Sequence, residues 1–282
     1  MADASHPSPS AEAGKPKTAL VFAGGGSFGA VQVGMLRALV AHGLKADMVV
    51  GSSVGAMNGA YFAGGLRRRD VFPVTARALL GLIRQRDFLL GSHGLFRLVH
   101  THLPFRNLEE ARIPLHVVAT DLLSGQPVVL SRGDAATAIV ASTAIPAAFA
   151  PVKSGNLYLA DGAITSCTPV KIAVMTGATR LIVLPAGYAC ARAMPPQGAM
   201  ANALHALTLL ISRQVKAELE SLDQTIDFHV APPLCPLTGS PYDFSRTDEL
   251  IERGAKRTEE WLAEGGLERR KIPHEMNAHK HH

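Results

Sequence analysis

Short unbroken apolar blocks alternate along the chain with longer stretches whose apolar residues fall at helical spacing. Thr18 to Ala23 is an apolar run that stops at glycines, and from Ala30 to His42 the residues Val31, Met35, Leu36 and Leu39 mark one face of a helix. The pattern returns at once, with an apolar block from Met48 to Val50, a turn from Gly51 to Gly55 and a helix of small residues from Ala56 to Phe62. Two strand–helix units in succession predict an α/β fold with a parallel sheet, because each helix carries the chain back to start the next strand alongside. Phe72 to Leu90 has helical period with basic residues on the opposite face, while Ser92 to Pro104 is mixed. Pro114 to Thr120 and Gln126 to Leu130 read as strands joined by the polar turn from Asp121 to Gly125. Ala135 to Ser142 reads as a short helix, and Leu157 to Ala160 as a strand ending at Asp161 and Gly162. Helix, strand, helix, strand and helix follow over Pro169–Met175, Leu181–Leu184, Ala203–Leu222, Thr225–Val230 and Phe244–Glu264, so the order is expected to alternate throughout.

Composition supports one large domain. Of 282 residues 47% are hydrophobic and 18% charged, enough apolar material to cover both faces of a sheet. Residues 1–17, rich in Ala, Ser and Pro, lack the basic start and apolar stretch of a secretory signal and read as a disordered leader. Residues 266–282 read as a solvated polar tail, whose closing histidines stand apart from any spaced ligand set; no metal or cofactor is expected. Met48 to Leu66 and Ala135 to Val152 are free of charge, but their glycines, alanines and prolines make them buried elements of a soluble fold instead of membrane spans. Cys167, Cys190 and Cys235 fit no metal pattern and leave one over if two pair, which points to a reducing, cytoplasmic setting.

Charge is concentrated. Between Arg67 and Arg106 stand eight arginines against two acids, a surplus of six in a chain whose net charge is +5. That segment also holds Phe88, Leu89, Leu90, Leu95, Phe96 and Leu98. It reads either as a lid over residues 66–106 that docks on anionic lipid, or as a solvated helical face. With 5% aromatic residues and no nucleic-acid motif, no nucleic-acid partner is expected.

Three glycine-bearing turns carry the candidate chemistry. Gly51-Ser52-Ser53-Val54-Gly55 lies between a strand and a helix, where a central serine is presented at the carboxyl end of the sheet with the helix N-terminus behind it. Gly24-Gly25-Gly26-Ser27-Phe28-Gly29 also joins strand to helix; its backbone N–H groups suit an oxyanion, or alternatively a pyrophosphate with Asp47 as a ribose ligand. Asp161-Gly162-Ala163 sets a carboxylate at a strand end, facing the same crevice or capping the turn.

Together these residues resemble the patatin-like phospholipases, from Leu20 to about Leu184. Besides the three turns, Ala141-Ser142-Thr143-Ala144-Ile145-Pro146 through Val152, and Thr120-Asp121 followed by Gly125, fit the same family in order. The resemblance implies a three-layer α/β/α domain over residues 18–265 with a central, mostly parallel sheet, acting as a hydrolase of lipid acyl esters. It implies a Ser53–Asp161 dyad without histidine, and an oxyanion site at Gly24, Gly25 and Gly26 in which Gly24 shapes the turn. The chain departs from the family at Phe28, where Arg or Lys is common, and at Cys167, where Asn is common. The first removes a positive charge suited to a phosphate head group, and the second replaces an amide by a weak donor.

Two other readings stand beside it. An α/β-hydrolase triad finds His205 and His229 after Asp161 in the chain order that fold uses. A lipid- or nucleotide-binding module without catalysis uses the same glycines.

Overall fold

In the computed structural model residues 17–65, 93–146, 149–187, 197–237 and 243–276 are described. The central strands form where the sequence is apolar on both faces. In β1 (Thr18–Phe22), β2 (Met48–Ser52) and β7 (Arg180–Leu184), alternate residues belong to two separate cores. Leu20, Phe22, Val49, Ile182 and Leu184 face one, and Ala19, Val21, Met48, Val50, Leu181 and Val183 face the other. Helices α1 (Gly29–Ala41), α2 (Val54–Ala63), α3 (His93–His102), α4 (Ala135–Ser142) and α8 (Thr247–Ala263) cover the first face. The second is covered by α6 (Val170–Met175) and α7 (Ala199–Glu220). The architecture is a three-layer α/β/α sandwich, with a further short helix, α5 (Ala163–Ser166), at the carboxyl end of the sheet.

β1, β2, β7 and β8 (Asp227–Val230) run parallel, and β1 also pairs with both β2 and β7. The expectation of strict alternation fails at one edge. There β4 (Pro127–Leu130), β5 (Val152–Ser154) and β6 (Leu157–Asp161) pair antiparallel. Hydrogen-bonded neighbours follow the order β5-β6-β3-β2-β1-β7-β8, with β4 also on β3 (Leu115–Asp121).

β3 is the pivot. β2 pairs with its residues 115–118, β4 with 117–120 and β6 with 119–121. A strand has two flanks, and β4 overlaps both others, so β2 and β6 share the opposite flank and meet end to end. The last residue of β2, Ser52, lies beside Val118, and the last of β6, Asp161, beside Ala119.

Two glycines let α1 and α8, neighbours in one layer, pack closely. A Cβ on Gly34 of α1 would strike the Ile251 carbonyl and lie 2.6 Å from the Ala255 nitrogen, while one on Gly254 of α8 would lie 2.6 Å from the Val31 oxygen. Ser92 to Pro104, mixed in sequence, holds α3, whose Leu95, Leu98 and Val99 are buried with Leu103 and Phe105. Hence Leu95 and Leu98 are not free to meet lipid; the rest of the suggested lid, residues 66–92, lies outside the described residues. The polar tail also needs correction. Ile272 packs on the second core, Met276 is buried, and Glu275 holds Arg257 at 2.8 Å; residues 277–282 lie outside the described residues. Among the described residues no helix is long and apolar enough to cross a membrane.

Candidate active site

The three glycine-bearing turns meet at Gly24. A Cβ there would lie 3.2 Å from the Cβ atoms of both Ser53 and Ala163 and 3.3 Å from Cys167 Sγ. Ser53 stands between β2 and α2 with φ 55° and ψ −128°, the one positive φ outside glycine among the described residues. Holding a serine there costs about 1–3 kcal/mol, which the surrounding contacts must offset. The motif's glycines are fixed by clearance. A Cβ on Gly51 would lie 2.5 Å from the Gly55 oxygen, and one on Gly55 would lie 2.6 Å from the Ala23 oxygen at the end of β1.

Because β2 and β6 end against each other, Ser53 Oγ donates to Asp161 Oδ2 at 2.7 Å. Both residues are buried, at 5% and 3% exposure. The other carboxylate oxygen accepts the Ala163 N–H at 2.8 Å. Burial pushes the Asp161 carboxyl up to about 6, against the smaller opposing effects of the Ser53 and Ala163 hydrogen bonds. That value suits a proton acceptor near neutral pH.

The backbone on each side of the pair is tied down. Ser142, at the end of α4, accepts the Ser53 N–H at 2.9 Å and donates to the Val118 carbonyl at 2.6 Å. Its own carbonyl accepts the Gly162 N–H at 3.1 Å, and the Ala144 carbonyl accepts that of Asp161 at 3.0 Å. Thr120 donates to the Asp161 carbonyl at 2.9 Å and shares a hydrogen bond with Thr165. The stretch that resembled a family signature is therefore the brace of both candidate catalytic residues.

Within the glycine loop the donors divide. Gly24 N–H is taken by the Cys167 carbonyl at 2.8 Å, and Cys167 Sγ lies 3.6 Å from the Gly24 oxygen. No acceptor among the described residues engages the N–H groups of Gly25 or Gly26. Gly26 has φ 57°, and Gly25 is hemmed in by Ala186, whose Cβ would be 2.6 Å from an added Cβ. Cys167, which replaces the common Asn, thus anchors Gly24 through its backbone. Burial, followed by the Asp161 charge, pushes its thiol up to about 12, so it stays neutral and unreactive. Phe28 lies near Gly187, a Cβ on which would be 2.9 Å from its ring and 3.0 Å from Leu237, and both Phe28 and Leu237 pack against the first core.

Sequence reasoning did not single out two buried amides. Gln32 Nε2 donates to the carbonyls of Ala23 and Leu184 at 2.7 and 2.8 Å, and Gln32 Oε1 accepts from Asn58 at 2.9 Å. Asn58 also donates to the Gly29 carbonyl at 3.0 Å. A polar residue inside an otherwise apolar helix was the available signal.

The rival readings find less here. His229 places its ring nitrogens against Asp227 at 2.9 Å and the Arg269 carbonyl at 3.3 Å. It sits on β8, three strands from β2, about 14 Å away at the usual strand spacing. Among the described residues no histidine bonds to Asp161. Asp47 caps the opposite end of the sheet, accepting from Thr18 N at 2.8 Å, far from the glycine loop that a ribose ligand would need to face. No cluster of metal-ligating side chains occurs among the described residues.

Comparison with known proteins bears on the family and the fold. The patatin-like phospholipase family matches residues 20–174, more than half of the chain. An NTE family protein of Mycobacterium tuberculosis (strain H37Rv), Rv1063c, is 32% identical over 195 residues, covering 66% of this chain and 53% of that protein. The rat patatin-like phospholipase domain-containing protein 7 is 28% identical over 185 residues, covering 60% of this chain and 13% of its own. This chain therefore spans about half the length of the mycobacterial relative. VipD from Legionella pneumophila shares the fold, with a TM-score of 0.51 at 15% identity over 88% of this chain and 67% of that one.

Proposed function

Since the chain belongs to the patatin-like phospholipase family, we propose that it is a serine hydrolase of lipid acyl esters working through a Ser53–Asp161 dyad. The observation that carries this reading is the 2.7 Å hydrogen bond from Ser53 Oγ to a buried Asp161 carboxylate. As Oγ attacks the ester carbonyl carbon, its proton passes to Asp161 Oδ2. The carbon–oxygen bond to the alcohol then breaks, and Asp161 returns the proton to the departing oxygen. Water attacks the acyl carbon next as Asp161 takes its proton; the bond from that carbon to Oγ then breaks, the acid departs, and Asp161 returns the proton to Ser53 Oγ.

The unengaged N–H groups of Gly25 and Gly26 are the donors for the tetrahedral oxyanion, each worth about 3–4 kcal/mol in such sites. Gly24 shapes the loop, because its own N–H is already used. The N-terminus of α2 adds a favourable dipole behind Ser53. Phe28 stands where a cation is common in the family, so this position offers no positive charge to capture a phosphate directly. No cofactor enters these steps.

A fluorophosphonate probe tests the assignment. It is expected to label the wild-type chain at Ser53 and to leave Ser53→Ala unlabelled. Absence of label on the folded wild type, or label at another serine, overturns it.

A further inference from the structure

The end of the sheet that holds Ser53 carries a second feature, which the proposed chemistry does not use. Beyond the end of β2, on the flank where β6 continues, the β3–β4 turn and the β5–β6 hairpin project together. Leu122 N donates to the Tyr158 carbonyl at 2.9 Å, so the two tips form one surface. On it Leu122, Leu123, Leu157 and Tyr158 are 46%, 73%, 36% and 40% exposed. Tyr158 is three residues from Asp161, about 10 Å along the strand.

This exposure is built in. The buried Asp121 carboxylate accepts Ser124 Oγ at 2.6 Å, Ser124 N at 3.1 Å, Tyr158 N at 3.3 Å and Leu123 N at 3.4 Å. One carboxylate therefore braces both tips and holds the leucines outward. Residues 122–126 and 153–158 include no acid, and Lys153 Nζ stands 5.9 Å over the Tyr158 ring.

We propose that this lip docks on the surface of an anionic lipid aggregate. Leu122, Leu123, Leu157 and Tyr158 enter the head-group boundary and Lys153 meets lipid phosphates, so that substrate leaves the aggregate beside Ser53. The inference rests on reading the site as a lipid-ester hydrolase. It favours lipid over a protein occupant on grounds of size. Four partly exposed side chains offer a few hundred Å² at most, whereas a stable protein interface takes about 800 Å² from each partner. A lipid boundary asks only for a few inserted apolar side chains, with tyrosine suited to the interface and a cation suited to anionic head groups.

The test uses the full chain carrying Ser53→Ala, which binds without hydrolysis, and sedimentation with phosphatidylcholine vesicles with and without phosphatidylglycerol. Vesicles containing phosphatidylglycerol are expected to bring down the chain. Adding Leu123→Asp is expected to cut the bound fraction at least about tenfold, since one buried leucine is worth about 1.5–3 kcal/mol. Lys153→Ala is expected to weaken binding to the anionic vesicles only. Because Leu123 is largely exposed, the thermal transition of Leu123→Asp should match its parent, which separates loss of docking from loss of fold. Undiminished binding by Leu123→Asp overturns the proposal. So does absence of binding by the Ser53→Ala chain, or a dimer that Leu123→Asp dissociates. If vesicles bind but the wild type cleaves no ester, the dyad reading fails and the lip stands.

Discussion

Asn58 and Gln32 share a 2.9 Å hydrogen bond in the core that joins α2, the helix behind Ser53, to α1, the helix after the glycine loop. All four amide hydrogens of the pair are used: those of Gln32 hold the carbonyls of Ala23 and Leu184, and those of Asn58 hold Gln32 and the Gly29 carbonyl. The pair fixes the start of the glycine loop relative to Ser53. Gln32→Leu leaves the Ala23 carbonyl and one Asn58 amide hydrogen unsatisfied in the interior, while the Leu184 carbonyl keeps the Ala23 N–H. It is expected to lower stability by about 3 kcal/mol, read from urea unfolding, and to reduce kcat for ester hydrolysis in the fraction that stays folded.

Asp161 ties activity and stability to pH in opposite senses. The dyad needs the ionised carboxylate, so kcat/KM should rise with pH around an apparent value of about 6. The native carboxyl holds its proton more tightly than the unfolded one, which titrates near 4, so stability present below pH 4 is lost as pH rises through 6. Asp161→Asn removes that loss. The variant should be more stable than wild type at pH 8, by up to about 3 kcal/mol, with the difference vanishing near pH 4. Thermal unfolding of both chains across this range checks it.

Neighbouring serines separate cleanly. The Ser52 hydroxyl is buried and has no hydrogen-bond partner among the described residues. Ser52→Ala is expected to leave ester hydrolysis within about threefold of wild type and stability unchanged or raised by about 1 kcal/mol. A large loss of activity in Ser52→Ala contradicts the assignment of Ser53.

Gly25→Ala puts a methyl group 2.6 Å from the Ala186 Cβ, so the loop must move. Displacing one oxyanion donor is expected to cost about a hundredfold or more in kcat with a smaller change in KM. Steady-state kinetics on a soluble ester distinguish this from general unfolding, in which active fraction and Tm fall together.

The parts of this fold that the sequence shows plainly are those buried on both sides. β1, β2 and β7 read as apolar blocks because each of their faces meets a core, and the turns after β1, β2 and β6 read through glycines that the clearances require. β5 was hidden, being three residues long and partly exposed with Lys153 and Ser154 in it. α3 was hidden because its buried residues, Leu95, Leu98 and Val99, are few and stand among Gly94, Arg97 and the exposed His100 and His102. The direction of β6 could not be read locally, yet the end-to-end meeting of β2 and β6 on β3 depends on it. Gln32 and Asn58 escaped for a related reason: a polar side chain in a helix looks solvent-facing until its buried partners are known, and the bracing role of Ser142 within its motif was hidden in the same way.

The central claim is that Ser53 and Asp161 form one catalytic unit, and hydrolysis of a medium-chain p-nitrophenyl ester tests it most directly. Wild type, Ser53→Ala and Asp161→Asn are compared, each with its fold verified by circular dichroism. The account predicts that both variants fold and that each loses at least about a thousandfold in turnover, as expected when groups acting together are removed singly. Retained activity in folded Asp161→Asn would contradict it.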